Sequence, residues 1–115
     1  MYDEAVAELQ KAVKLSGDSP TCIANLARAY VASGKRSEAV KLLGDLKKRS
    51  HPGYSNAAEI ATIYASLGDT DQAMNWLERG YEERFNPGVL LRPGFDPLRS
   101  DARFQNLLHR VGLPG

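Results

Sequence analysis

The side chains able to do chemistry are few and scattered. The two histidines, His51 and His109, lie 58 positions apart. A histidine pair that holds a metal sits about one helical turn apart, with acidic or thiol company. His51 stands before Pro52 in an expected loop, and His109 flanks an apolar stripe near the chain's end. Cys22 is the single cysteine, so no intramolecular disulfide can form. It falls near an expected helix start, where a thiol is somewhat acidified. No base stands near it in sequence, so it reads as a packing or idle thiol. Glu82 and Glu83 are adjacent and diverge on a helix instead of converging on a substrate. There is no glycine-rich phosphate loop and no Gly-x-Ser-x-Gly nucleophile elbow. The expectation is a protein with no catalytic residue, no metal site and no cofactor.

Composition points the same way. The chain has 115 residues, 43% hydrophobic and 25% charged, enough for one compact domain or a short run of repeats. A net charge of +1 argues against a dedicated nucleic-acid binder. The apolar runs are too short to span a membrane, and a cytoplasmic location is expected. Charge is unevenly spread. Residues 35–49 carry six basic and two acidic side chains, and residues 69–83 carry five acidic and one basic. Helix dipoles account for much of that, and a dipolar surface that orients a charged partner is the sharper reading.

The elements that would position any site repeat with a fixed period. Ala5, Ala39 and Ala73 are 34 residues apart, as are Leu9, Leu43 and Leu77. Leu26, Ala27, Tyr30 and Gly34 return as Ile60, Ala61, Tyr64 and Gly68. Ile23, Leu26, Ala27, Tyr30 and Val31 form one helical stripe, at i, i+3, i+4, i+7 and i+8. Gly34 and Gly68 fall where a helix must stop, a position that glycine fills without a Cβ clash. Ser19 before Pro20 predicts a cap and first helical residue, and Asp69 with Gln72 a capping box. The spacing predicts helices over 2–16, 20–33, 36–49, 54–67 and 70–84. The alanines let paired helices approach closely, and the larger side chains fill the space beside them.

A 34-residue helix-turn-helix unit with Leu26-Ala27, Tyr30, Gly34 and Ala39 resembles the tetratricopeptide repeat. The likeness implies an all-α, right-handed α-solenoid of about two and a half repeats. The expected division is 1–18 as the second helix of a truncated repeat, 19–53 and 54–87 as repeats, and 88–115 as a Pro/Gly-rich connector with a capping helix. In the tail, Asp96-Pro97 predicts a single turn and 101–111 a last helix with the stripe Phe104, Leu107, Leu108 and Val111. Residues 95–104, with the ending Gly112-Leu113-Pro114, are similar to the extreme C-termini of bacterial multidomain signalling proteins. That similarity implies an output domain upstream and a regulatory context.

The resemblance also says where binding happens. The first helix of each repeat lines the inner face, where such proteins take extended or helical peptides. There the expected exposed residues are Thr21, Asn25, Arg28 and Ala32 on one helix, and Ser55, Glu59, Thr62 and Ser66 on the next. Arg28 is the foremost candidate for gripping a partner carboxylate. The lysines and asparagines that line grooves for chaperone tails are replaced here by Ala24, Arg28, Ala58 and Thr62. The leading expectation is therefore a non-catalytic module that binds a protein or peptide. The alternative is a spacer that forms a homodimer through helix 2–16, because Val6, Leu9 and Val13 would lack their natural neighbour.

Overall fold

The computed structural model describes residues 2–49 and 56–112. Six α-helices run through them: α1 Tyr2–Leu15, α2 Pro20–Ala32, α3 Arg36–Lys48, α4 Ala57–Leu67, α5 Thr70–Glu82 and α6 Ala102–Arg110. Two 3-10 segments, Pro87–Leu91 and Pro93–Leu98, join α5 to α6. No strand occurs among the described residues, and the architecture is the expected all-α solenoid. None of these helices is long and apolar enough to cross a membrane.

Local chemistry sets the helix ends. Gly34 and Gly68 both adopt φ +84, and each lets the next N–H reach back into its helix. Lys35 N–H donates to Tyr30 O and Asp69 N–H to Tyr64 O, so the two turns are copies one period apart. Asp69 caps α5 by accepting from Gln72 N–H at 3.1 Å. Ser19 holds the cap position of α2 with Pro20 behind it, but its side chain makes no cap bond. The helix expected from residue 54 begins later. Asn56 has φ 56, a left-handed conformation that a helix cannot pass through, so α4 starts at Ala57.

Four alanines of the repeat, Ala27, Ala39, Ala61 and Ala73, are fully buried, while Ala5 of the same register is exposed. Around the first pair Ile23, Leu26, Leu43, Leu46, Ile60 and Ile63 form one core. Val6 is buried in that core, and Leu9 and Val13 pack against it. The three residues expected to seek a second copy are thus packed within the chain, while Leu15 at the end of α1 stays exposed. The apolar stripe of α1 turns inward onto α2, and its outer face carries Glu4, Ala5, Glu8 and Lys11.

A second core joins α4 and α5 to the tail through Met74, Leu77, Leu90, Phe95, Leu98, Phe104 and Leu107. The connector runs back along α4, so that α6 lies parallel to α5. The ion pairs show this alignment: Arg103 meets Asp71 at 2.9 Å and Arg110 meets Glu78, seven residues on in both helices. The tail thus keeps the repeat's register. Thirty-four residues past Ala61, Tyr64, Ala73 and Leu77 stand Phe95, Leu98, Leu107 and Val111, all of them in or against this core. The second 3-10 segment replaces the inner helix of a third unit, and α6 replaces its outer helix.

Candidate functional site

The inner face is built by α2, α4 and the second 3-10 segment. On α2, Thr21 and Asn25 are exposed and Arg28 is half-buried, one turn after another along the helix. On α4, Glu59 is half-buried and turned toward α2. Thr21 Oγ1 donates to Glu59 Oε1 at 3.5 Å, linking the two helices across the face. The tail adds a third member. Arg92 approaches the same Glu59 oxygen at 3.4 Å, a long and weak pairing. Thr21, Asn25, Arg28 and Arg92 rim one cleft of about 220 Å³, floored by Ala24 and Thr62 and closed by Pro93 and Gly94.

Thr62 is where the expectation fails. It is only 5% exposed, and its hydroxyl donates to Ala58 O one turn back. The cause is Gly94. A Cβ on Gly94 would stand 2.9 Å from the Thr62 methyl and 3.7 Å from Arg28 Cδ, so the bare backbone sits directly over the threonine. Thr62 contributes only to the cleft floor, with its hydroxyl already committed to Ala58 O. Ser66, also expected outside, is half-buried and donates to Thr62 O. Ser55 lies outside the described residues. Arg92 is the site residue that sequence reasoning missed. The 34-residue register was its signal, since it places Ala58 and Arg92 at equivalent positions of successive units.

The electrostatics of the cleft are cationic. Glu59 is shared between Thr21 and Arg92, and Arg28 has no ion pair or hydrogen bond among the described residues. Asn25 likewise has no hydrogen bond to its amide among the described residues. A half-buried guanidinium without a partner there, beside such an amide, is a fork of donors suited to a carboxylate. Nothing around it supplies acid–base or nucleophilic chemistry. Among the described residues no group of histidine, cysteine and carboxylate side chains could hold a metal.

Comparison with known proteins gives a consistent frame. Residues 1–53 match one family model described as tetratricopeptide repeat, and residues 56–87 match another with the same description. The chain is similar to the TPR repeat-containing thioredoxin TTL4 of Arabidopsis thaliana, 36% identical over 77 residues. Those residues are 66% of this chain but only 11% of that protein's length. No solved structure matches.

Proposed function

Because residues 1–53 and 56–87 belong to the tetratricopeptide repeat family, whose repeats generally mediate protein–protein interaction, we propose that this chain is a non-catalytic module gripping a carboxylate-bearing peptide in the cleft of α2, α4 and the tail. The observation that carries the reading is Arg28. It is half-buried at the cleft wall, yet among the described residues nothing pairs with its charge. Asn25 and Thr21 extend the contact toward one end, and Arg92 faces them from the tail. Glu59 is the internal carboxylate weakly paired with Arg92 beside the cleft, so a ligand carboxylate competes with it for Arg92. The likeness of residues 95–104 to bacterial signalling C-termini supports a regulatory, cytoplasmic setting with an output domain elsewhere in the protein.

The test is capture from lysate on the immobilised chain, read by quantitative mass spectrometry. Proteins retained by the parent and by Lys14→Glu, but released by Arg28→Glu, are the expected outcome. Lys14 is exposed and remote on α1, so it controls for net charge. Identical retention by Arg28→Glu and the parent would remove the cleft from the account. Thr62→Lys is no test of binding, because it drives a charge into a covered site.

A further inference from the structure

We propose a second docking surface on the opposite side of the molecule: the outer face of α3, which takes an acidic amphipathic helix of a partner protein. Ser37, Lys41, Gly44 and Lys48 fall at i, i+4, i+7 and i+11, a single line along that face. Gly44 is the telling residue. Glycine inside a helix is unfavourable relative to alanine. The other interior helical glycine, Gly80, is explained by a Cβ running into the Phe85 ring at 2.6 Å. At Gly44 a Cβ would meet nothing within 4 Å, so the fold gives no reason for its absence. A missing side chain on an outward face lets a second helix approach at the close end of the packing range.

The surroundings say what that helix carries. Val40, one turn before Gly44, is 53% exposed, an anchor point for an apolar side chain. Beside it runs a trough of about 560 Å³ walled by Val40, Tyr64 and Leu67 and ended by Arg36 and Asp69. Arg36 and Lys47 of α3 are turned to Leu67 O and the Tyr64 ring, but the cations on the outward side are weakly matched. Lys35 and Lys48 have no ion-pair partner among the described residues, and Lys41 has only Glu38 on its own helix at 3.3 Å. Two acids of α5, by contrast, are answered by α6, Asp71 by Arg103 and Glu78 by Arg110. Lys41 and Lys48 are two helical turns apart, about 10 Å. The fitting partner is therefore a helix with acidic residues at i and i+7 flanking an apolar stripe. A single exposed apolar residue is too little for a lipid surface, and the face lacks the exposed aromatics of a nucleic-acid platform.

The experiment selects binders from a display library of 18-residue amphipathic helices, with randomised flanks, against the full chain. Enriched helices are expected to carry Asp or Glu seven residues apart. Their affinity should fall at least tenfold with Gly44→Trp, and likewise with Lys41→Glu combined with Lys48→Glu, and stay unchanged with Arg28→Glu. The charge variants keep the test decisive if the tryptophan disturbs folding. Helices without acidic enrichment, or whose binding follows Arg28 instead, overturn the proposal and leave the inner cleft standing. So does lysine-dependent binding of anionic vesicles or single-stranded DNA with no helix selected. Gly44→Ala should raise the thermal midpoint. A fall would give the glycine an internal role and likewise overturn the proposal.

Discussion

Two glycine-to-alanine changes, made in the outer helices of successive units, should move stability in opposite directions. Both remove the helix penalty of glycine, worth about 1 kcal/mol each. At Gly44 that is the whole effect, because the new methyl touches nothing. At Gly80 the new Cβ would stand 2.6 and 2.9 Å from two carbons of the Phe85 ring and 3.1 Å from Ala57 Cβ. Carbon contacts are comfortable at about 3.5–4.0 Å, so the ring must retreat by nearly 1 Å. Overpacking of that kind costs roughly 1–3 kcal/mol, with the contact of Phe85 against α4 loosened as well. The steric cost exceeds the helix gain over most of that range, leaving a net loss of up to about 2 kcal/mol. At about 4 °C per kcal/mol for a chain of this size, Gly44→Ala should melt about 4 °C higher and Gly80→Ala up to about 8 °C lower. Thermal unfolding followed by circular dichroism reads both. Adding Phe85→Leu to Gly80→Ala should restore part of the loss, since the residues couple through contact. Stabilisation by Gly80→Ala, or independence from Phe85, would refute the packing described at this joint.

Three further outcomes follow from other contacts. Gly94→Ala should destabilise by about 1 kcal/mol through the Thr62 methyl, and Thr62→Ser in the same chain should recover most of that in urea unfolding. Arg84 ends α5 with φ 60, a left-handed strain that Arg84→Gly should relieve by about 0.5–1 kcal/mol, seen as a higher urea midpoint. Asp101 accepts from the Arg103 side chain and then from its backbone N–H, which holds its carboxyl below the ordinary aspartate range. Its contribution to stability is therefore full above the ordinary aspartate pKa and is lost only as pH falls through the lowered value. A carboxyl titration by NMR should show that acid-shifted midpoint, and Arg103→Ala should return it toward the ordinary range.

Much of the framework was legible because it is local and periodic. Ala27, Ala39, Ala61 and Ala73 reveal the helix pairing through spacing alone, and Gly34 and Gly68 reveal its turns. The inner face was legible on α2, where Thr21, Asn25 and Arg28 line the cleft as their helical positions indicated. On α4 the reading failed at Thr62, because its cover comes from Gly94, 32 residues away. Pro93-Gly94 has no hydrophobic period to announce that it packs on anything. The third unit also inverts the sizes of its predecessors, with Gly94 following Ile60 and Phe95 following Ala61. A pattern search tuned to a small residue after a large one passes over it. The inward turn of Val6, Leu9 and Val13 was missed for a related reason. A stripe shows that a helix buries one face, but not which neighbour it buries that face against.

The cleft exists because the tail closes over α4 and brings Arg92 to it. The direct measurement is a carbon-edited nuclear Overhauser spectrum of the Thr62 methyl. Strong cross-peaks to the Gly94 α-protons are the predicted result. A Thr62 methyl that sees only its own helix, with Gly94 amide exchange as fast as in an open chain, would contradict it.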